Sequence, residues 1–250
     1  MPEWWTYSLS DFLLFSPRTY YRLIERYNVA VWPAQLVTLG LGLVVAALLR
    51  RPSVARSRAV AAILAALWAW VGWGFVASRY TTINWAAQYL AWLFAAEVVL
   101  LGWMGVVRAR LHFGWSRGGP ALLGALLFGF ALALYPLLGP ALGRGWRQAE
   151  VFGIAPDPTA LATLGLLLTG KGSPRARWLL LAAPLVWCAI AGVTLWAMGS
   201  PEALYLVTGH RPSVVFFPKV RSAAFEFFTR RFAEPRTAHP SSVARSGVPR

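Results

Sequence analysis

The amino-acid sequence predicts an all-α chain, a polytopic bundle of about six transmembrane helices. Two observations carry this prediction. Of the 250 residues, 58% are hydrophobic and only 13% are charged, whereas an ordinary soluble domain holds about 25% charged residues. The apolar residues also form long runs separated by short basic clusters, and about 20 mostly apolar residues are what a helix needs to cross a bilayer.

Residues 1–30 precede the first long run and are predicted to form an interfacial segment. Ser16 and Pro17 indicate the start of a helix. The residues beyond them mix tyrosines and leucine with arginines, which suits a helix lying in the headgroup layer of a membrane.

Residues 31–198 are predicted to form the transmembrane bundle. Five runs are long enough to span a bilayer, at 31–49, 59–77, 86–107, 120–138 and 178–198. A sixth run, 159–169, covers only about half of a ~30 Å hydrocarbon core at 1.5 Å per residue.

The segment near 152–169 allows two interpretations. Asp157 lies between Pro156 and Pro158, a pattern typical of a capping residue followed by proline at the first helical position. An irregular lead-in before a short apolar helix is typical of a broken or re-entrant membrane segment. The alternative is a shallow loop followed by a short helix.

The basic residues of the loops predict an orientation. Ten of them fall in alternate loops and three in the opposite short loops, so the positive-inside rule places the first group in the cytoplasm and both termini outside. The ten are Arg50, Arg51, Arg56, Arg58, Arg108, Arg110, Arg117, Lys171, Arg175 and Arg177, and the three are Arg79, Arg144 and Arg147.

Glu97 is the one charged residue inside these runs, which makes it a candidate functional residue because a charge at the bilayer centre is costly. It could carry a proton, bind a cation, pair with a basic group, or serve only as a protonated, hydrogen-bonded contact between helices. Asn84 and Gln88, four residues apart, are predicted to share a helix face and form either part of a binding site or interhelical hydrogen bonds.

The loop before the sixth run is the second candidate site. It contains Arg144, Arg147, Glu150 and Asp157 with Trp146 and several glycines, and long loops beside a broken helix are often functional. The charges could equally satisfy one another at a wet surface.

No motif predicts a catalytic centre, a cofactor or a metal site. The run 165–172, GLLLTGKG, has the glycine spacing of a phosphate-binding loop, but Gly172 stands where Ser or Thr must bind magnesium. The net charge of +15 could suggest nucleic acid. The basic residues are scattered between apolar runs, however, so no nucleic-acid partner is expected.

Residues 199–250 form a basic tail. Within it, 219–232 places Phe225, Phe228 and Phe232 at helical spacing beside arginines, which predicts an amphipathic stretch that binds anionic lipid. The Pro-, Ser- and Arg-rich remainder is predicted to be disordered.

Three stretches carry a family resemblance: WWTYSLSDFLLFSPRTYYRLIERYNVAVWPAQ, INWAAQYLAWLFAAE and QAEVFGIAPDPTALATLGLLL. They resemble an uncharacterised family of bacterial six-helix membrane proteins, over roughly residues 3–205. The resemblance implies a bacterial cytoplasmic membrane and about six helices, and it supplies no activity.

Two functions are consistent with these features. The first is a non-catalytic membrane subunit or scaffold, engaging the bilayer and either a membrane partner or its own copies. The second is a small-solute or ion transporter with a site near Glu97 and the broken segment at Asp157.

Overall fold

The computed structural model describes residues 15–115 and 118–198. Within them the regular secondary structure is helical apart from one pair of two-residue strands. The predictions made for Arg117 and for the tail, including the amphipathic stretch 219–232, lie outside the described residues.

Eight α-helices are present in the described residues. Their bounds are α1 Pro17–Ala30, α2 Ala34–Leu49, α3 Val54–Val71, α4 Ala87–Leu100, α5 Gly119–Gly129, α6 Tyr135–Ala141, α7 Pro156–Thr169 and α8 Pro174–Met198. π-Helical segments extend α3 and α4 and join α5 to α6, at Gly72–Ala77, Leu101–Val107 and Phe130–Leu134. Short 3₁₀ turns lie at Tyr80–Thr82 and Trp146–Gln148, and the strands are β1 Leu111–His112 and β2 Lys171–Gly172.

Four continuous helices are long and apolar enough to cross a membrane. They are Val54–Thr82, Ala87–Val107, Gly119–Ala141 and Pro174–Leu195. A fifth is gained only if α1 and α2, which meet at an angle of 86°, count as one broken span. The predicted all-α bundle of apolar helices is therefore confirmed with four or five membrane-length helices among the described residues, rather than six.

Helix α1 starts where the sequence predicts. The Ser16 side chain accepts a hydrogen bond from the backbone N–H of Thr19 at 3.2 Å, and Pro17 occupies the first turn. The helix buries one face against the rest of the protein, formed by Tyr20, Ile24, Tyr27 and Asn28. These residues follow the spacing of a single helix stripe.

Helix α7 is short and enclosed. Its 14 residues rise about 21 Å, less than the ~30 Å of a bilayer core. It packs against α5 and α8, and every residue from 149 to 160, including the irregular lead-in, is buried. Irregular backbone is stable in such a place because the surrounding protein covers it.

The contact between α5 and α7 depends on two glycines. A Cβ atom on Gly124 would lie 2.4 Å from the carbonyl oxygen of Gly165, and one on Gly165 would lie 2.6 Å from that of Gly124. Only glycine lets the two backbones approach this closely.

One end of the bundle carries most of the arginines of the described residues. β1 pairs antiparallel with β2, the backbone N–H of Trp115 donates to the Leu49 carbonyl at 3.3 Å, and the N–H of Phe113 donates to the Ser57 hydroxyl at 3.0 Å. These contacts gather three basic loops, which we call the Arg-rich end. It comprises Arg50, Arg51, Arg56, Arg58, Arg108, Arg110, Lys171, Arg175 and Arg177.

Large aromatic side chains lie both in the buried core and on the exposed surface of the bundle. Trp68, Phe75 and Phe94 are fully buried in the core. Trp73 and Trp92, in contrast, are 77% and 76% exposed. An outer surface this apolar is characteristic of a chain surrounded by lipid.

Candidate functional site

Asp157 lies in the first turn of α7 and is buried. The indole N–H of Trp187 in α8 donates to its Oδ1 at 2.8 Å, and the hydroxyl of Tyr135 in α6 donates to its Oδ2 at 3.1 Å. The predicted capping role of Asp157 is wrong, because the helix begins at Pro156 with Ala155 as its cap and without a side-chain cap. The carboxylate instead connects three helices.

Glu150 lies seven residues earlier, in the buried lead-in, and is 6% exposed. Its Oε1 is 3.8 Å from Nη1 of Arg144. That nitrogen makes no hydrogen bond within the described residues, and the guanidinium carbon lies 4.2 Å from the centre of the Tyr21 ring. Arg144 is thus held by one loose ion pair and one aromatic face.

The electrostatics of this group follow from its burial. Burial, together with the nearby Asp157 carboxylate, raises the pKa of Glu150 to about 8, while Arg144 opposes the change. We call Arg144, Glu150 and Asp157, with the Tyr135 and Trp187 donors, the polar cluster. If both carboxyl groups are ionised, its two negative charges face one positive charge.

A small cleft reaches the polar cluster. Three aromatic residues, Tyr20, Tyr80 and Trp187, line it together with Asp157 and with Ile190, Ala191, Thr194, Leu195 and Met198 of α8. It has room for about one water molecule or one ion of similar size.

The predicted residue Arg147 contributes its backbone rather than its charge. Its side chain is exposed, whereas its carbonyl accepts a hydrogen bond from Asn28 Nδ2 at 2.9 Å. The same nitrogen donates to the Ala149 carbonyl at 2.8 Å, and Gln148 Nε2 donates to Glu25 at 3.1 Å. Helix α1 therefore holds the loop that carries the polar cluster.

Asn28 was not predicted as a site residue. The available signal was its place on the buried stripe of α1, eight residues after Tyr20 and four after Ile24. A polar residue on the buried stripe of an amphipathic helix needs hydrogen-bond partners, but the sequence does not identify a loop more than 100 residues away as their source.

Asn84 and Gln88 are not brought together by a helix face, because Asn84 precedes α4, which begins at Ala87. Asn84 Oδ1 accepts from the backbone N–H of Ala86 at 3.0 Å, and its Nδ2 donates to the Tyr80 hydroxyl at 3.2 Å. Asn84 thereby supports one wall of the cleft. Gln88 is exposed.

Glu97 is completely buried on the face of α4 that also buries Phe94 and Leu101. Neither of its carboxyl oxygens has a hydrogen-bond partner in the described part of the chain, and it is not among the residues that line the cleft. Of the predicted site residues, the structure brings Glu150 and Asp157 together and leaves Glu97 apart from them.

The chemistry that this arrangement supports is the binding of a cation or a proton by buried carboxyl groups. Among residues 15–115 and 118–198, no three His, Cys, Asp or Glu side chains are grouped to hold a metal ion.

A family model described as a family of unknown function, DUF6064, matches residues 18–226. No curated protein and no solved structure matches the chain.

Proposed function

The chain belongs to the family of unknown function DUF6064, and we propose that it is a multi-pass protein of the bacterial cytoplasmic membrane. Four membrane-length helices and exposed tryptophans such as Trp73 and Trp92 support this location. The Arg-rich end supports an orientation with that end in the cytoplasm and both termini on the other side.

Reporter fusions test this orientation. Alkaline phosphatase fused after Ser53 or Gly172 should be inactive, and after Asn84 or Gly145 active, with a fluorescent-protein fusion giving the reverse pattern. The opposite pattern would place the Arg-rich end outside and contradict the proposal.

Within the membrane, the protein acts as a non-catalytic subunit or scaffold whose working part is the polar cluster. The observation that carries this is the pair of buried carboxyl groups: Glu150, in a loop that α1 holds through Asn28, and Asp157, in the first turn of α7. Burying charged groups costs free energy, and a loop with a purely structural role does not require them. Trp146, 70% exposed in the same loop, offers an adjacent contact surface for a membrane partner or a second copy of the chain.

A photocrosslinking amino acid at position 146 tests the subunit hypothesis in cells. We expect it to trap one protein of defined mass, or the chain itself, and we expect Glu150→Gln to reduce the yield. A matched probe at Trp92, on the exposed face of α4, should trap no protein at comparable yield. Equal crosslinking from both positions, or from neither, would contradict the proposal.

The cleft favours a second candidate function, a transporter for a small solute or ion. A short enclosed helix that begins beside a cleft resembles the discontinuous helices of transporters, where helix starts and irregular backbone form the binding site. In this case the site would use Asp157 without Glu97. Reconstituted protein should then carry its solute across vesicles, and Asp157→Asn should abolish the flux, whereas Glu97→Gln should not.

The tail supports a contact with the bilayer surface. The aromatic and basic residues of 219–232 suit binding to anionic lipid.

A further inference from the structure

We infer that the cleft beside Asp157 binds one monovalent cation of the ammonium type, which replaces a proton on the Glu150–Asp157 pair. This inference rests on the proposal that the polar cluster is the working part of the protein. It adds the chemical class of the ligand and the ion with which that ligand competes.

The walls of the cleft suit an ammonium ion. The Tyr20 and Tyr80 rings lie 6.0 Å apart at 71°, and the Tyr80 and Trp187 rings lie 6.4 Å apart at 69°. Aromatic rings that border a small space, with a carboxylate beside them, attract a cation. A metal cation would prefer a shell of oxygen atoms, but most of these walls are aromatic or aliphatic.

The size of the cleft further limits which cations can bind. There is room for about one water molecule, and an ammonium ion is close to water in size. The four N–H groups of ammonium can donate to the Asp157 carboxylate and to the Thr194 hydroxyl, which donates its own proton to the Ile190 carbonyl at 2.8 Å and so presents its lone pairs. Larger alkylated amines do not fit.

The charges around the cleft leave a place for one positive charge. Among the described residues, Arg144 is the one cation whose charge acts on both carboxyl groups: it forms an ion pair with Glu150 and opposes the rise in the pKa of Asp157. The other described titratable groups that face Asp157 from α1, α6, α8 and the turn before α4 are neutral as phenols or as a thiol: Tyr20, Tyr21, Tyr80, Tyr135 and Cys188. With both carboxyl groups ionised, the cluster therefore carries one uncompensated negative charge.

A proton or an ammonium ion can each neutralise that charge, and the two exclude one another. When ammonium enters, the O–H bond of the protonated carboxyl group breaks, the proton passes to solvent, and ammonium pairs with the carboxylate. No electron is transferred and no other bond changes. Binding is thus an exchange of one cation for another.

Calorimetric titration of the full chain in nanodiscs with ammonium chloride tests the exchange. We expect the affinity to rise between about pH 6 and about pH 8, by up to about tenfold per unit. We also expect the observed heat to depend on the ionisation enthalpy of the buffer, because a proton is released. Sodium chloride at the same ionic strength should bind at least about tenfold more weakly. No heat with ammonium, an equal response to sodium, or an affinity independent of pH would each overturn the inference.

Two variants on α8 make the test specific to the cleft. Ala191→Leu fills the cleft without removing a polar group and should weaken ammonium binding by more than about tenfold. Val193→Leu adds volume at an exposed position of the same helix and should bind within about twofold of the natural protein. Asp157→Asn should also abolish binding. Unchanged binding by Ala191→Leu would overturn the inference even if Asp157→Asn failed to fold.

The failure of this inference is distinguishable from the failure of the proposed function. If ammonium does not bind but crosslinking from position 146 still depends on Glu150, the ligand assignment is wrong and the subunit proposal stands. If neither ammonium binding nor crosslinking depends on the polar cluster, both are wrong.

Discussion

Glu97 and Glu150 are both buried acidic residues, but their surroundings differ. Glu150 has a guanidinium and a second carboxyl group nearby. Glu97 is buried in α4, and its carboxyl oxygens have no hydrogen-bond partner in the described residues. The first environment can exchange charge with a ligand, whereas the second offers no charged partner among the described residues.

Replacing Glu97 by leucine should stabilise the protein. A buried polar group without a partner costs about 1–3 kcal/mol, and a leucine side chain at this position would fill a similar volume without that cost. We expect a higher midpoint of thermal unfolding in detergent for Glu97→Leu than for the natural protein, with Glu97→Gln in between. A lower midpoint for Glu97→Leu would show that the carboxyl group has a stabilising partner after all.

The acid–base behaviour of Glu150 predicts how stability depends on pH. The ordinary pKa of 4.5 rises to about 8 in the folded protein, so the folded state keeps a proton that the unfolded state releases. The stabilisation is fully present below pH 4.5, declines as pH rises, and is lost above about pH 8, with a slope of at most about 1.4 kcal/mol per unit.

Glu150→Gln should flatten this decline. Thermal unfolding measured at several values between about pH 5 and about pH 8 would give midpoints that fall less steeply for the variant, with the remaining slope arising from Asp157. An unchanged slope would mean that Glu150 is not the titrating group.

At the scale of elements, the apolar runs predicted where helices lie because hydrophobic length is a local property. Residues 59–77, 86–107 and 120–138 each correspond to a membrane-length helix. The predicted run 31–49 differs, because α2 begins at Ala34 and the chain before it turns through 86°. The length of an apolar run does not determine the direction from which the chain enters it.

The polar cluster was only partly predictable, because a local pattern does not show which distant segments meet in the fold. Glu150 and Asp157 could be chosen from the sequence because they are acidic residues in a long loop beside an apolar helix. Their partners Arg144 and Tyr135 are close in sequence, but Tyr20, Tyr80 and Trp187 come from three distant segments. The packing of α8 against α7, and of α1 against the turn Trp146–Gln148, accompanies the meeting of these rings and is not visible in the sequence.

Helix α1 should stabilise the loop through Asn28. The Asn28 amide nitrogen donates to two backbone carbonyls, so Asn28→Ala removes the donor and leaves buried acceptors unpaired, at a cost of about 1–3 kcal/mol. Gln148→Ala, which removes the more exposed bond to Glu25, should cost less. Proteolysis within 142–148 would report loop opening, and equal cleavage of both variants would contradict the special role of Asn28.

The α5–α7 contact can be tested with two glycines. Gly165→Ala places a Cβ against the Gly124 carbonyl oxygen and the backbone nitrogen of Phe128, so we expect destabilisation by about 1–3 kcal/mol. Gly129→Ala, on the same α5 but with open space at its Cβ, should be neutral or slightly stabilising because alanine favours helix. A similar change in the unfolding midpoint for both would argue against close packing of these helices.

At the scale of the whole molecule, the distribution of exposed aromatic side chains distinguishes a surface that faces lipid from one that faces water. Trp92 lies on the outer face of α4 and Trp146 in the loop beside the polar cluster, and both are largely exposed. If the chain spans a bilayer as proposed, the two surroundings must differ, because the hydrocarbon core excludes polar solutes and concentrates oxygen.

Spin labels attached at these two positions would measure that difference. Cys188 is the one cysteine of the sequence, so Cys188→Ala gives a background in which Trp92→Cys or Trp146→Cys can be labelled singly. In nanodiscs, the label at 92 should collide more with oxygen and the label at 146 more with a water-soluble nickel chelate. If the chelate reached both labels equally, the outer face of α4 would have to be covered by water or protein, and the membrane topology proposed for this chain would be wrong.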